Sequence, residues 1–355
     1  MKTLVSSCLV GIALALSACG APESEDAPET PETSGAPDAS TPAEAPAAAP
    51  APETAEAPAA EAGWRLVWSD EFDGETIDPE RWSHEVDCWG GGNEERQCYT
   101  DSEANSRIED GMLVIEARLE ETTGPALPPR MLVGADEEAR NAQATQPFSS
   151  ARIVTNGHAD WRYGRIEVRA QLPVGQGTWP AIWMLPSDEY YGPWAASGEI
   201  DILEVVNLGE PCEACPGGLE NTVLGTLHFG GVWPQNSYAN RRTHLPDSET
   251  GEQEFHVFAI EWTEGQVEWF LNGESYGSLT PEEWSTTSEL AADNPNAPFD
   301  RPFFLILNLA VGGHLAESHN GGGVDESAFP QTFTVDWVRV YDCPSDPDTM
   351  TGCKE

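Results

Sequence analysis

From Trp64 onward the chain is written in short runs of alternating apolar and polar residues. Trp64-Arg-Leu-Val-Trp-Ser-Asp-Glu-Phe-Asp-Gly74 alternates and then closes on a turn signal. Gly111-Met-Leu-Val-Ile-Glu-Ala117 reads as a second strand, entered from Asp110-Gly111. Further strands are predicted over 165–171, 181–185, 199–206, 222–229, 256–262, 266–271, 303–309 and 332–341. Asn272-Gly273, after Val267-Glu-Trp-Phe-Leu271, is a hairpin signal. Gly, Pro, Asn and Asp punctuate the runs and helical periodicity is nearly absent. The pattern predicts an all-β domain of about 280 residues: two antiparallel sheets packed as a β-jelly-roll sandwich. The segment 120–150 is polar and weakly patterned, and reads as a loop with a helical turn at its Glu/Ala/Arg stretch.

One run breaks the alternation. In Gly198-Glu199-Ile200-Asp201-Ile202-Leu203-Glu204, three carboxylates are separated only by Ile and Leu. Strict alternation puts Glu199 and Asp201 on one face and sends Glu204 to the other, into the apolar side of the sheet. A β-bulge after Asp201 adds one residue and returns Glu204 to the first face. We therefore expect a bulge. Three carboxylates on one face repel unless some are protonated or hydrogen-bonded, a cost most readily accepted where acid–base chemistry is needed. Two carboxyl groups about 5–5.5 Å apart can run a retaining glycosidase, and the bulge could place Glu199 and Glu204 at such a spacing. A calcium site or a solvated edge strand is the competing explanation for the motif.

The amino terminus predicts export. Met1-Lys2 is followed by an apolar run to Leu16 and then Leu16-Ser17-Ala18-Cys19, a small-residue cleavage site ending in cysteine. This looks like a bacterial lipobox, which makes residues 1–19 a lipoprotein signal and Cys19 the lipidated residue. Gly20 after it fits sorting to the outer membrane. The apolar run is short for a membrane span. Residues 20–62 are almost entirely Ala, Pro, Glu, Thr, Ser and Asp, and 21–62 hold no aromatic residue, Lys or Arg; such a stretch cannot bury apolar surface and reads as a disordered spacer. A domain over 63–343 and a tail over 344–355 complete the organisation.

Charge narrows the partner. Against 17 basic residues stand 61 acidic ones, a formal net charge of −44. That excludes nucleic acid and disfavours anionic polymers, while a neutral polymer is compatible. Of eight cysteines, six lie in the domain: 88, 98, 212, 215, 343 and 353. An even number in an exported domain suggests disulfides, most simply 88–98, 212–215 and 343–353. Cys212-x-x-Cys215 is alternatively half of a redox or zinc site, without a second CxxC to complete it. Thirteen tryptophans in one chain is a high number, and indoles stack on the apolar faces of sugar rings. Trp179 and Trp183 are four apart and share a strand face. Trp68, Trp262, Trp269 and Trp337 are assigned to the core.

The motifs together resemble glycoside hydrolase family 16. Its ExDxxE signature is similar to Glu199-Ile-Asp-Ile-Leu-Glu204, and its flanking motifs to Tyr163-Gly-Arg-Ile-Glu-Val-Arg169, Trp179-Pro-Ala-Ile-Trp-Met-Leu-Pro186 and Gly225-Thr-Leu-His-Phe229. Leu305-Ile-Leu-Asn-Leu-Ala-Val-Gly-Gly313, Val335-Asp-Trp-Val-Arg-Val-Tyr341, Asp70-Glu-Phe-Asp-Gly74 and Asn93-Glu-Glu-Arg-Gln97 also fit. Within the family the extra residue before the last Glu resembles the laminarinase group. The resemblance implies a concave sheet with an open cleft, and endo-hydrolysis of β-1,3 bonds in β-glucans without a catalytic cofactor. It implies Glu199 as nucleophile, Glu204 as acid/base with a raised pKa, and Asp201 as the assisting carboxylate. It further implies cleft roles for Asn93, Arg165, Trp179, Trp183, Trp194 and His228, and one structural Ca²⁺ held by Glu71, the backbone of Gly111, and Asp336. Arg165 could equally pair with Glu167 or another acid, and a strand histidine such as His228 could be structural. A monomer anchored to the membrane only through its lipid is expected. The alternatives are a hydrolase of mixed-linkage β-1,3/1,4-glucan or of a galactan, a transglycosylase, and a surface glucan-binding protein without catalysis.

Overall fold

A computed structural model describes residues 63–246 and 254–354. The signal sequence, Cys19 and the spacer expected over 20–62 lie outside the described residues. In chain order the strands begin with β1 (Arg65–Asp70), β2 (Ser83–His84), β3 (Gln97–Tyr99), β4 (Ser106–Glu109) and β5 (Met112–Ala117). The segment read as a loop contains β6 (Thr122–Pro125), a single helical turn α1 (Glu137–Asn141), β7 (Gln143–Gln146) and β8 (Phe148–Ser150). Then come β9 (Arg152–Val154), β10 (Gly164–Gln171), β11 (Thr178–Pro186), β12 (Glu199–Glu204), β13 (Thr222–Gly230) and β14 (Asn236–His244). The chain finishes with β15 (His256–Thr263), β16 (Gln266–Leu271), β17 (Glu274–Leu279), β18 (Phe303–Val311), the short helix α2 (Gly313–Glu317) and β19 (Gln331–Asp342).

Two antiparallel sheets make the jelly-roll sandwich. One has eight strands, in the order β17-β16-β15-β10-β19-β5-β4, with β1 also paired to β19. The other has seven, in the order β14-β13-β12-β11-β18-β9-β2. Alternation decides what lies between them. Ile166 and Val168 of β10, Val338 and Val340 of β19, and Trp262 and Trp269 of the β15–β16 hairpin meet Ile182 and Met184 of β11 and Leu305, Leu307 and Leu309 of β18. The intervening residues of the seven-stranded sheet, Trp179, Ala181 and Trp183 on β11 among them, point away from this core and line the face that carries the site.

β14 was missed by the strand reading because it is an edge strand of mostly polar, partly exposed residues, so it lacks the apolar half of the period-two signal. Of the tryptophans assigned to the core, Trp262 and Trp269 are fully buried. Trp68 packs edge-on to Trp82 and Trp161. Trp337 is buried under Arg339, whose guanidinium lies 4.1 Å from its ring centroid.

Residues 344–354 of the expected tail are part of the fold. A disulfide joins Cys343 to Cys353, Met350 and Cys353 enter the core, and Glu264 N–H donates to the Thr349 carbonyl at 2.9 Å. The other two disulfides are Cys88–Cys98 and Cys212–Cys215, the sequence-local pairs expected. Among the described residues no helix is long and apolar enough to cross a membrane.

Candidate active site

The bulge is where the carboxylate spacing demands it. Against β11, Asp201 pairs with Trp183 and Leu203 with Ile182, so Ile202 is the extra residue. Against β13, Asp201 faces Thr226 and Glu204 faces Leu224: three steps on one strand against two on the other. Ile202 and Leu203 therefore both enter the core, and Glu199, Asp201 and Glu204 share the opposite face. Burying two adjacent aliphatic side chains favours the irregular strand, at roughly 1.5–3 kcal/mol for each side chain taken out of water.

Each carboxylate is held by a neighbour. The Trp194 indole N–H donates to Glu199 Oε2 at 2.8 Å. Trp179 Nε1 donates to Glu204 Oε1 at 3.2 Å, and the Thr226 hydroxyl to Glu204 Oε2 at 3.4 Å. His228 of β13 stands opposite Glu199 in the ladder. Its Nε2 lies 3.3 Å from Asp201 Oδ2 and 3.6 Å from Glu199 Oε1. Burial alone would lower the His228 pKa, but the charges of Glu199, Asp201 and Glu204 overcome it and raise the value to about 10. An imidazolium thus sits among the carboxylates. Burial pushes all three acids up: Glu199, where His228 and the Trp194 hydrogen bond oppose it; Asp201, next to the charge of Glu199; and Glu204, next to the charge of Asp201. This is a set in which one carboxyl group can stay protonated near neutrality while another is ionised.

Comparison with known proteins decides the family. The family model GH16_PorA-D, described as Beta-porphyranase A-D, GH16 domain, matches residues 64–343. The chain belongs to glycoside hydrolase family 16. It is similar to the "Glucan endo-1,3-beta-glucosidase A1" of Niallia circulans, with 40% identity over 290 residues, covering 79% of this chain and 38% of that protein. It is also similar to the "Beta-glucanase" of Rhodothermus marinus, with 41% identity over 286 residues, covering 78% of this chain and 85% of that protein. The catalytic domain of an endo-1,3-β-glucanase (laminarinase) from Thermotoga petrophila superposes with a TM-score of 0.60 at 37% identity, covering 79% of this chain and 98% of that one.

The remaining sequence-assigned residues of this family 16 domain divide. Trp183 lies on the site face beside Asp201 in the ladder, with its indole N–H donating to Asn308 Oδ1 at 2.6 Å. Trp194 remains 37% exposed, open to a ligand. Asn93 follows the Gly90–Gly92 turn; its side-chain amide donates to Glu95 Oε1 at 3.2 Å and its carbonyl accepts from His314 N–H. A β-carbon placed on Gly313 would lie 3.2 Å from both the Asn93 carbonyl and the Trp179 ring, so Asn93 borders the tryptophan that holds Glu204.

Arg165 does not belong to this site. It is on β10, in the other sheet, buried on the side away from the core. Its Nε bonds Glu167 Oε1 at 2.8 Å and its Nη1 bonds Glu261 Oε1 at 2.7 Å. Alternation explains the error: with Ile166 and Val168 turned into the core, residue 165 must face outward from the eight-stranded sheet, away from the three carboxylates.

The backbone at Glu71 and that at Gly111 approach the same edge of β19, beside Asp336. β5 and β1 pair with the same edge of β19, ending at its residues 335 and 338 respectively. The end of β1, the turn into β5 and Asp336 therefore converge on the gap between them. Two carboxylates and a main-chain carbonyl are hard oxygen donors of the kind calcium takes. Glu71 is held by Arg339 through two bonds of 2.9 and 2.7 Å, and Asp336 by Arg169.

Three further contributors escaped the sequence reading. Thr226 could have been found, because it is two residues from His228 and so on its face. Tyr238 stacks obliquely beside His228, with ring centroids 5.9 Å apart and 63% of the residue exposed, but β14 carried no strand signal. Trp269 reaches the site from the other sheet, which no local pattern reveals.

Proposed function

We propose that this chain is a retaining endo-glycosidase that cleaves internal β-1,3 bonds of β-glucans. The observation that carries the reading is the bulge, which brings Glu204 to the face of Glu199. Glu199 attacks the anomeric carbon while Glu204 protonates the leaving oxygen; Glu204 then deprotonates the water that releases the glycosyl group. Asp201, beside the His228 imidazolium, holds the charge balance between the two. Trp194 and Thr226 orient the reacting oxygens, and Trp179, Trp183 and Asn93 bind sugar. The names of the similar proteins above support a glucan substrate.

A galactan is the second reading, favoured by the description of the matching family model. Against a sulfated polymer stands the pairing of cations near the site: Arg152 with Glu85, Arg130 with Glu85 and Arg96 with Glu317. Reducing-end release from laminarin, lichenan, agarose and carrageenan separates these readings, with laminarin expected to be cleaved fastest. The Glu199→Gln variant should bind laminarin without turning it over; turnover in that variant would remove Glu199 from the mechanism, and binding without turnover by the wild type would leave a glucan-binding protein.

We further infer a lipoprotein anchored through Cys19 in the outer membrane and spaced from it by residues 20–62, with the domain acting as a monomer. Calcium at Glu71, Gly111 and Asp336 would draw the two carboxylates from their arginines and tie β1 to β5, supplying support and no chemistry. A chelator should then lower the melting temperature without changing kcat at assay temperature.

A further inference from the structure

We propose that Trp269 is a positioning residue for the reaction: reaching across the core from the opposite sheet, its indole N–H fixes the bulge that aims Glu204. Trp269 is on β16 of the eight-stranded sheet and is fully buried. Its Nε1 donates to the Asp201 carbonyl at 2.8 Å, the last carbonyl before the inserted Ile202. A bulge disturbs the ladder just where it inserts its residue, and a buried peptide group left unpaired costs about 1–3 kcal/mol. The indole supplies a donor at that point.

The opposing strand is built to admit it. A β-carbon at Gly225 would lie 2.3 Å from Trp269 Cδ1 and 2.4 Å from its Nε1, so no other residue type fits. Gly225 is the residue between Thr226 and Leu224, the two partners that flank the register break. Missing side chain, inserted residue and cross-sheet donor therefore coincide. Straightening β12 would return Glu204 to the core face and relieve the crowding of three carboxylates. The Trp269 bond opposes that slip. Trp269 touches no reacting atom and acts only through Asp201 and the bulge. The inference rests on Glu199 and Glu204 being the reacting pair.

The test replaces Trp269 by 3-benzothienylalanine, which keeps the shape and exchanges the N–H for sulfur, alongside Trp269→Phe. Trp262→Phe is the control, because Trp262 is equally buried in the same sheet and its Nε1 donates to the Phe299 carbonyl at 2.9 Å. Both Trp269 replacements should lower kcat on laminarin about 10- to 100-fold, the loss expected of misplacement by an ångström or less, with KM within about twofold. Trp262→Phe should lose thermal stability and keep its kcat. A benzothienyl enzyme with kcat within twofold of wild type, or an equal kcat loss in Trp262→Phe, overturns the proposal. A wild type inactive on every glucan would instead defeat the glucanase assignment; a crystal structure of the benzothienyl variant then decides, since the Glu204 carboxyl group must have shifted from its wild-type position.

Discussion

His228 makes the carboxylate trio tolerable. Its pKa is raised far above that of a free imidazole, so its contribution to stability is complete below about pH 6.5 and disappears as pH rises toward 10. The acids act oppositely. A carboxyl group whose folded pKa is raised destabilises the fold progressively as pH climbs above its ordinary value. Glu204→Gln and Asp201→Asn should therefore abolish or cripple turnover, yet raise stability at pH 8 by on the order of 1 kcal/mol, visible in calorimetry. The hydrogen bond from Thr226 favours the charged form of Glu204. Thr226→Val should thus move the basic limb of the kcat/KM profile to higher pH; a downward move would contradict the assigned role of Glu204. His228→Gln removes the cation that opposes burial at Glu199, so the acid limb should also shift upward.

At the scale of the element, β12 is the smallest unit that contains the site. Its six residues place three carboxylates outward and three aliphatic side chains inward, which a regular strand cannot do. Deleting Ile202 leaves Glu-Ile-Asp-Leu-Glu, in which strict alternation alone keeps all three carboxylates on one face, so the variant should pair regularly with β11 and β13 and retain measurable turnover. Circular dichroism should still report a β fold with a lowered melting temperature. Complete loss of turnover in a folded deletion variant would mean that the bulge does more than return Glu204 to the face of Glu199. The bulge was legible in the sequence because the rule it breaks is local: an acid cannot face an aliphatic core. The placement of Arg165 was equally legible: alternation from Ile166 and Val168 turns it outward, and the pairing with Glu167 that stood beside the cleft role in the sequence reading is the one the structure has. Tyr238 was not legible, because a polar edge strand takes its conformation from the neighbour it pairs with.

At the scale of the molecule, the sandwich couples distant segments. The C-terminal residues are stapled by Cys343–Cys353 beside the eight-stranded sheet, where Lys354 Nζ reaches to 3.8 Å from Glu268 Oε2 and burial lowers its pKa. Cys353→Ser should cost about 2–4 kcal/mol and lower the melting temperature by about 5–10 °C. With Arg165, Glu167 and Glu261 on the sheet away from the site, kcat at assay temperature should stay unchanged. A loss of kcat without a loss of stability would tie that sheet to the chemistry by another route.

Alternation and turn residues determined the fold class, most strands and the shared face of Glu199, Asp201 and Glu204, and the closeness of the cysteines in sequence pointed to the disulfide pairs. These depend on interactions within a few residues, or on a two-residue period that any flanking core imposes. What only the tertiary structure decided is which separate strands supply the neighbours. Trp269 meets the Asp201 carbonyl across the core, Tyr238 flanks His228 from an unpatterned edge, and residues 343–353 close on the eight-stranded sheet. Contacts between residues far apart in the chain are set by how two sheets pack, and no local pattern encodes that geometry.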